Sequence, residues 1–127
     1  MTQVASSPTE VVNAYLTAFY SADFATAQSL VADTFAFRGP FLQVETRQDF
    51  FNGAAGLRPI VRGHRLVRQW HDGEDVCSMY EVQIETPSTA GSVLMSEWST
   101  VRDGQLVAAR VVFDTGAFRA LVPRPSN

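Results

Sequence analysis

Strict alternation between Asp75 and Asp114 is the strongest pattern in the chain. From Asp75 to Glu85 one alternate set is Val76, Tyr80, Val82 and Ile84, and the other is Cys77, Met79, Glu81 and Gln83. That is the period of a strand with two unlike faces. Pro87-Ser88-Thr89-Ala90-Gly91 interrupts the alternation, Ser92 to Val101 resumes it, Asp103-Gly104 is a tight hairpin signal, and Gln105 to Asp114 carries the return strand. Three adjacent antiparallel strands are predicted. If their ladders pair symmetrically about the turns, Met79, Glu81, Met95, Glu97, Arg110, Val112 and Asp114 share one face of the sheet. A face buried against helices normally excludes unpaired charge, which costs several kcal/mol or is neutralised by a pKa shift. Carboxylates and an arginine among methionines and valines therefore point to a pocket with chemistry, or to a wet cleft.

Upstream, the period changes to that of helices. Ser7-Pro8-Thr9-Glu10 is a capping box with proline at the first helical position. Val11, Val12, Tyr15, Leu16 and Phe19 then form one apolar stripe that ends near Ser21-Ala22. Asp23 starts a second helix with Phe24, Ala27, Leu30 and Val31 inward, and Thr34 to Phe37 reads as a short strand stopped by Gly39-Pro40. Thr46-Arg47-Gln48-Asp49 opens a third helix with Phe50, Phe51, Ala54, Ala55 and Leu57 available to pack and Gly56 near its end, and Arg58-Pro59 terminates it. Gly63 to His71 is a strand that turns at Asp72-Gly73 into the long sheet. The tail from Thr115 to Asn127 offers Phe118, Leu121 and Val122 to close one end of the core, with Pro123 and Pro125 ending order.

The 127 residues suit one domain over 1–127, and nine phenylalanines allow a large aromatic interior. A net charge of −3, with no basic cluster denser than His64-Arg65-Leu66-Val67-Arg68, argues against nucleic acid. Cys77 is the lone cysteine, so no internal disulfide forms, and a strand position suits an inert core thiol. No metal, nucleotide or flavin signature appears, so no cofactor is expected. Met1 to Ser7 lacks the basic start and apolar run of a signal peptide, and no apolar run approaches the roughly 20 residues of a membrane span. A soluble cytoplasmic protein is expected.

Val11-Val12-Asn13-Ala14-Tyr15-Leu16-Thr17-Ala18-Phe19 with Ser21-Ala22-Asp23-Phe24, then Val101-Arg102-Asp103-Gly104-Gln105-Leu106 and Val112-Phe113-Asp114, in this element order, resemble the nuclear-transport-factor-two-like superfamily. That superfamily includes ketosteroid isomerases, limonene-epoxide hydrolases and SnoaL-like polyketide cyclases. The resemblance implies an α+β cone: a curved antiparallel sheet wrapped around three N-terminal helices, a cystatin-like roll with an apolar cavity. It also implies a homodimer through the outer sheet face. By the same resemblance Tyr15 falls at the isomerases' tyrosine and Glu97 at or beside their acid, groups that donate hydrogen bonds to an enolate oxygen, an arrangement that is a known case of pKa tuning. The isomerase base is an aspartate before a proline, where this chain has Gly39 before Pro40. Against the epoxide hydrolases, Glu81 and Asp114 match the two acids, and the arginine before the first acid is Met79. Arg110 on the neighbouring strand is the candidate substitute. A SnoaL-like cyclase asks only for one carboxylate near a carbonyl, for which Asp114 or Glu81 would serve.

Each of these residues also has a plain structural reading. Tyr15 packs at the core edge, Glu97 lies on the exposed face beside Trp98, Asp114 caps a turn with Thr115-Gly116, and Glu81 pairs across strands with Arg110. His64 and His71 flank a strand near a turn, where exposed histidines are common. The expected function is acid–base chemistry on a small hydrophobic metabolite, of isomerase, cyclase or epoxide-hydrolase type, with Asp114 or Glu81 as base and Tyr15 and protonated Glu97 stabilising oxygen. The alternative is a non-catalytic ligand-binding or dimeric interaction module on the same scaffold.

Overall fold

The structure, a computed structural model, describes residues 6–123, so the polar start at 1–5 and Pro125 lie outside the described residues. Helix α1 (Pro8–Tyr20) begins as the capping box dictates: Ser7 Oγ accepts the Glu10 backbone N–H at 3.2 Å, and Glu10 Oε1 accepts that of Ser7 at 3.1 Å. Asp23 caps a short α2 (Phe24–Ser29). Val31, expected on the inner face of that helix, instead opens β1 (Val31–Arg38). After β2 (Gln43–Val44), Thr46 caps α3 (Arg47–Ala54), and a 3-10 turn over Ala55–Leu57 follows. The remaining elements are β3 (Val61–Asp72), β4 (Asp75–Glu85), β5 (Ala90–Arg102), β6 (Gln105–Phe113) and α4 (Thr115–Leu121). Of these, β2 and α4 were not foreseen as elements, although the tail that forms α4 was expected to dock.

The described strands make one curved, open six-stranded sheet in the order β2-β1-β6-β5-β4-β3. All neighbours are antiparallel except β1 and β6, which run parallel. Helix α1 lies across the inner face of β3 to β6 and buries Val11, Val12, Leu16 and Phe19 there. Each such side chain contributes about 1.5–3 kcal/mol by leaving water. A polar clasp fixes the helix on the sheet: Gln69 Nε2 donates to Asn13 Oδ1 at 2.8 Å and to the buried Ser78 Oγ at 2.9 Å, and Asn13 Nδ2 donates back to Gln69 Oε1 at 3.2 Å. With α1 held this way, the stripe that contains Tyr15 is turned into the sheet.

The sheet's register corrects the expected shared face. Glu85 pairs with Ala90 across the Thr86–Thr89 connection, so Tyr80 stands opposite Met95, Ser78 opposite Glu97 and Glu81 opposite Leu94. Met79 and Glu81 therefore point away from the face that holds Met95 and Glu97. Between β5 and β6, the ladder starts from Arg102 opposite Gln105 and Val101 opposite Leu106, and then skips Val107 so that Thr100 faces Ala108. An unbroken ladder would have set Arg110 opposite Glu97. The bulge puts Val111 there, and Arg110 and Val112 go to the outer face. The buried row of β4 is the apolar set Val76, Tyr80, Val82 and Ile84 together with Ser78.

Candidate active cavity

Inside the sheet, beneath α1, α3 and α4, lies a cavity of about 350 Å³. That volume suits a small organic ligand. Phe19, Phe37, Phe50, Phe113 and Phe118 form much of its wall, and Tyr15, Tyr20, Glu97 and Arg119 supply its charged and phenolic groups. Phe50 is the centre of the aromatic packing, with ring centroids 4.7 Å from Phe37, 5.0 Å from Phe51 and 5.1 Å from Phe35.

Glu97 is the carboxyl that lines this cavity, and it is only 3% exposed. Tyr80 donates its hydroxyl proton to Glu97 Oε1 at 2.7 Å, and Ser99 donates to Oε2 at 3.0 Å. The Tyr20 hydroxyl stands 3.1 Å from that of Tyr80. Because Tyr80 spends its one proton on Glu97, Tyr20 donates to Tyr80, and a chain runs Tyr20 to Tyr80 to Glu97. Burial raises the Glu97 pKa, while the hydrogen bonds from Tyr80 and Ser99 pull it the other way. Tyr15 is raised well above the usual phenol range, chiefly by burial and then by the nearby Glu97 charge, so it remains a proton donor. Among the described residues no protein group takes up the Tyr15 hydroxyl.

Tyr15 and Glu97, both singled out from the sequence, are thus brought together. Glu81, Arg110 and Asp114 are not. Glu81 sits on the outer face, where Arg65 Nη2 donates to its Oε1 at 2.6 Å; the expected partner Arg110 is elsewhere on that face. Asp114 caps α4, its Oδ1 accepting the Ala117 backbone N–H at 3.0 Å. Gly39 does line the cavity, but a Cβ there would stand 2.9 Å from Phe37 Cε1, so an acidic side chain would have to displace that ring. His64 is half-buried, with ring centroids 5.7 Å from Tyr20 and 5.8 Å from Tyr80, and burial lowers its pKa. His71 is exposed, and Cys77 lies on the partly covered outer face of β4. Among the described residues no three His, Cys, Asp or Glu side chains come together as metal ligands.

Tyr20, Tyr80, Ser99 and Arg119 went unrecognised in the sequence as parts of the site. A tyrosine in the otherwise aliphatic set Val76, Val82 and Ile84 was a signal, since a buried hydroxyl needs a partner. Asp114-Thr115-Gly116-Ala117 was another: an N-cap announces the helix that carries Arg119.

No protein-family model matches the chain, and no curated protein matches it in sequence. Solved structures do match it in fold. An LEH-like epoxide hydrolase from M. tuberculosis superposes with a TM-score of 0.77 at 19% identity, covering 91% of this chain and 89% of that one. A putative SnoaL-like polyketide cyclase from Jannaschia sp. CCS1 gives 0.79 at 13% identity over 98% of both chains. A protein of ketosteroid isomerase-like fold from Catenulispora acidiphila, in complex with trimethylamine, gives 0.78 at 13% identity, covering 94% of this chain and 96% of that one. The chain therefore has the fold of the nuclear-transport-factor-two-like proteins, as the sequence resemblance implied.

Proposed function

We propose that the protein is an acid–base enzyme of isomerase or cyclase type that acts on a small apolar metabolite in this cavity. The observation that supports it is one buried carboxyl, Glu97, opening into an aromatic chamber beside the Tyr15 hydroxyl. The base role expected of Asp114 or Glu81 passes to Glu97. As the carboxylate, Glu97 takes a proton from a carbon next to a substrate carbonyl. Tyr15 donates a hydrogen bond to the oxygen that gains the charge, and protonated Glu97 then returns the proton to another carbon or to a newly formed alkoxide. The proton cycles and no electrons are lost. Epoxide opening in the two-carboxylate manner fits less well, because Glu81 and Asp114 are turned away from Glu97.

A non-catalytic ligand-binding module is the second reading, and a specific observation favours it: Tyr80 and Ser99 each engage one Glu97 oxygen. Deuterium incorporation separates the two. The protein is incubated in heavy water with cyclic enones and 1,3-diketones that it binds, and the ligands are weighed by mass spectrometry. Enzyme-dependent exchange is expected, with Glu97→Gln lowering its rate by about 10²–10⁴-fold and Tyr15→Phe by about 10²-fold. Ligands that bind without exchanging establish the module.

The finer claims about setting follow the same reading. A second copy of the chain is the proposed partner for the outer sheet face, where Trp98 is 54% and Val112 61% exposed beside Trp70 and Leu94. No helix among the described residues is long and apolar enough to cross a membrane, and Cys77 is free. A reducing cytoplasmic setting accords with both.

A further inference from the structure

We infer that Tyr80, backed by Tyr20, is a positioning residue of this site: its hydroxyl holds the Glu97 carboxylate in place and keeps it usable as a base near neutral pH, an inference that rests on reading Glu97 as the base. A carboxylate in an aromatic chamber has lost the water that would stabilise its charge, and a buried cation usually makes up the difference. Among the described residues no cation pairs with Glu97. The arginines with carboxylate partners are engaged elsewhere: Arg38 with Glu45, Arg47 with Asp33, Arg62 with Glu85, Arg65 with Glu81 and Arg102 with Glu74. Glu97 has hydroxyls instead. Tyr80 reaches Oε1 from β4 at 2.7 Å, and Ser99 reaches Oε2 from β5 itself at 3.0 Å, so the carboxyl is held at both oxygens. Each oxygen keeps a second lone pair for a substrate proton.

The two donors are unequal. A phenol is more acidic than an alcohol, and the Tyr80 bond is the shorter, so Tyr80 stabilises the charged form more. Its hydroxyl is also fixed in place. Tyr80 is fully buried, with ring centroids 5.4 Å from Tyr20 and 5.8 Å from His64. The Tyr20 hydroxyl, 3.1 Å from that of Tyr80, donates to it and polarises its O–H toward Glu97, so Tyr20 acts on the carboxylate through Tyr80. Of the other ionisable groups around the site, Tyr15 of α1 stays protonated and Arg119 of α4 stays charged. His64 of β3, against the Tyr80 ring, changes charge at acid pH, where burial holds its pKa down.

The test is the titration of Glu97 itself, followed by NMR through the side-chain carboxyl signal of isotope-labelled glutamate, with the signal identified by its loss in Glu97→Gln. Tyr80→Phe keeps the ring and removes one oxygen. It is expected to lower the acidity of Glu97 by about tenfold or more, a rise of about one pH unit in its midpoint. Tyr20→Phe leaves the Tyr80 bond in place and is expected to lower the acidity about two- to fourfold. In the Tyr80→Phe background it is expected to add nothing, because its effect passes through Tyr80. Repeating the series in a His64→Gln background removes the histidine's own titration. A midpoint that Tyr80→Phe leaves unchanged or lowers, or a Tyr20→Phe effect that persists without Tyr80, overturns the inference. In deuterium exchange, the Tyr80→Phe defect is expected near neutral pH and to shrink above the new midpoint, where Glu97 is ionised again; a defect of the same size at every pH would mean that Tyr80 serves the fold alone. The two readings fail separately: a raised midpoint without any exchange sinks Glu97 as the base, and an unmoved midpoint with Glu97-dependent exchange sinks the role of Tyr80 alone.

Discussion

Glu97 sets two demands against each other. Burial favours its neutral form and outweighs the hydroxyls of Tyr80 and Ser99, which favour its charged form, so the group holds its proton more tightly in the folded chain than an ordinary carboxyl does. The consequence for stability has a definite sign. The unfolded chain gives up this proton near the ordinary value of 4.5, whereas the folded chain keeps it to higher pH. Above 4.5 the unfolded state therefore binds fewer protons, and stability falls as pH rises through the folded-state pKa. Urea midpoints measured from pH 4.5 to 8 are expected to show this decline in the wild type and to lack that component in Glu97→Gln. Identical pH profiles would mean that Glu97 titrates normally. The residue itself was legible in the sequence through its likeness to the isomerases' acid. Its neighbours were not, because Tyr80 and Ser99 reach it only through a ladder register that local sequence does not specify.

Elements were read more reliably than the faces they present. The capping box at Ser7, the caps at Asp23 and Thr46, and the turn at Asp103-Gly104 fall where the chain announces them, whereas the turn expected at Asp72-Gly73 forms one residue later, over Gly73-Glu74, with Asp72 still paired to Asp75. The faces failed because side-chain direction has period two, so one extra residue inverts everything beyond it. Val107 is that residue between β5 and β6, and it decides that Val111 and not Arg110 stands opposite Glu97. Deleting Val107 is expected to pull Arg110 toward the inner face and push Val111 out. The expected loss is about 3 kcal/mol or more in urea denaturation, the usual size of a buried-charge or large core defect. A variant of unchanged stability would show that the register is set elsewhere. In the same way, Asp114 and Glu81 have ordinary structural partners in Ala117 and Arg65, the kind of role each was also given from sequence.

For the whole molecule, the curved sheet makes two unlike surfaces: an inner one that encloses a chamber and an outer one that leaves two tryptophans half-exposed. Trp70, Cys77, Trp98 and Arg110 stand in one cross-strand row on that outer face. Sedimentation at micromolar concentration is expected to give a dimer, and Trp98→Glu a monomer with its ligand affinity intact; a monomeric wild type would remove the proposed partner. The architecture was legible because the element order, and not any single residue, carries it. The chamber's contents were less so, since α4 brings Arg119 into the cavity from a tail read only as a plug. What joins the scales is the claim that one buried carboxyl moves protons on a bound apolar ligand. The most direct measurement is the rate of deuterium uptake by a single tightly bound ketone, compared between the wild type and Glu97→Gln at equal ligand occupancy. A fall of at least about 10²-fold is expected in the variant. Equal rates at equal occupancy would contradict the assignment of Glu97 as the base.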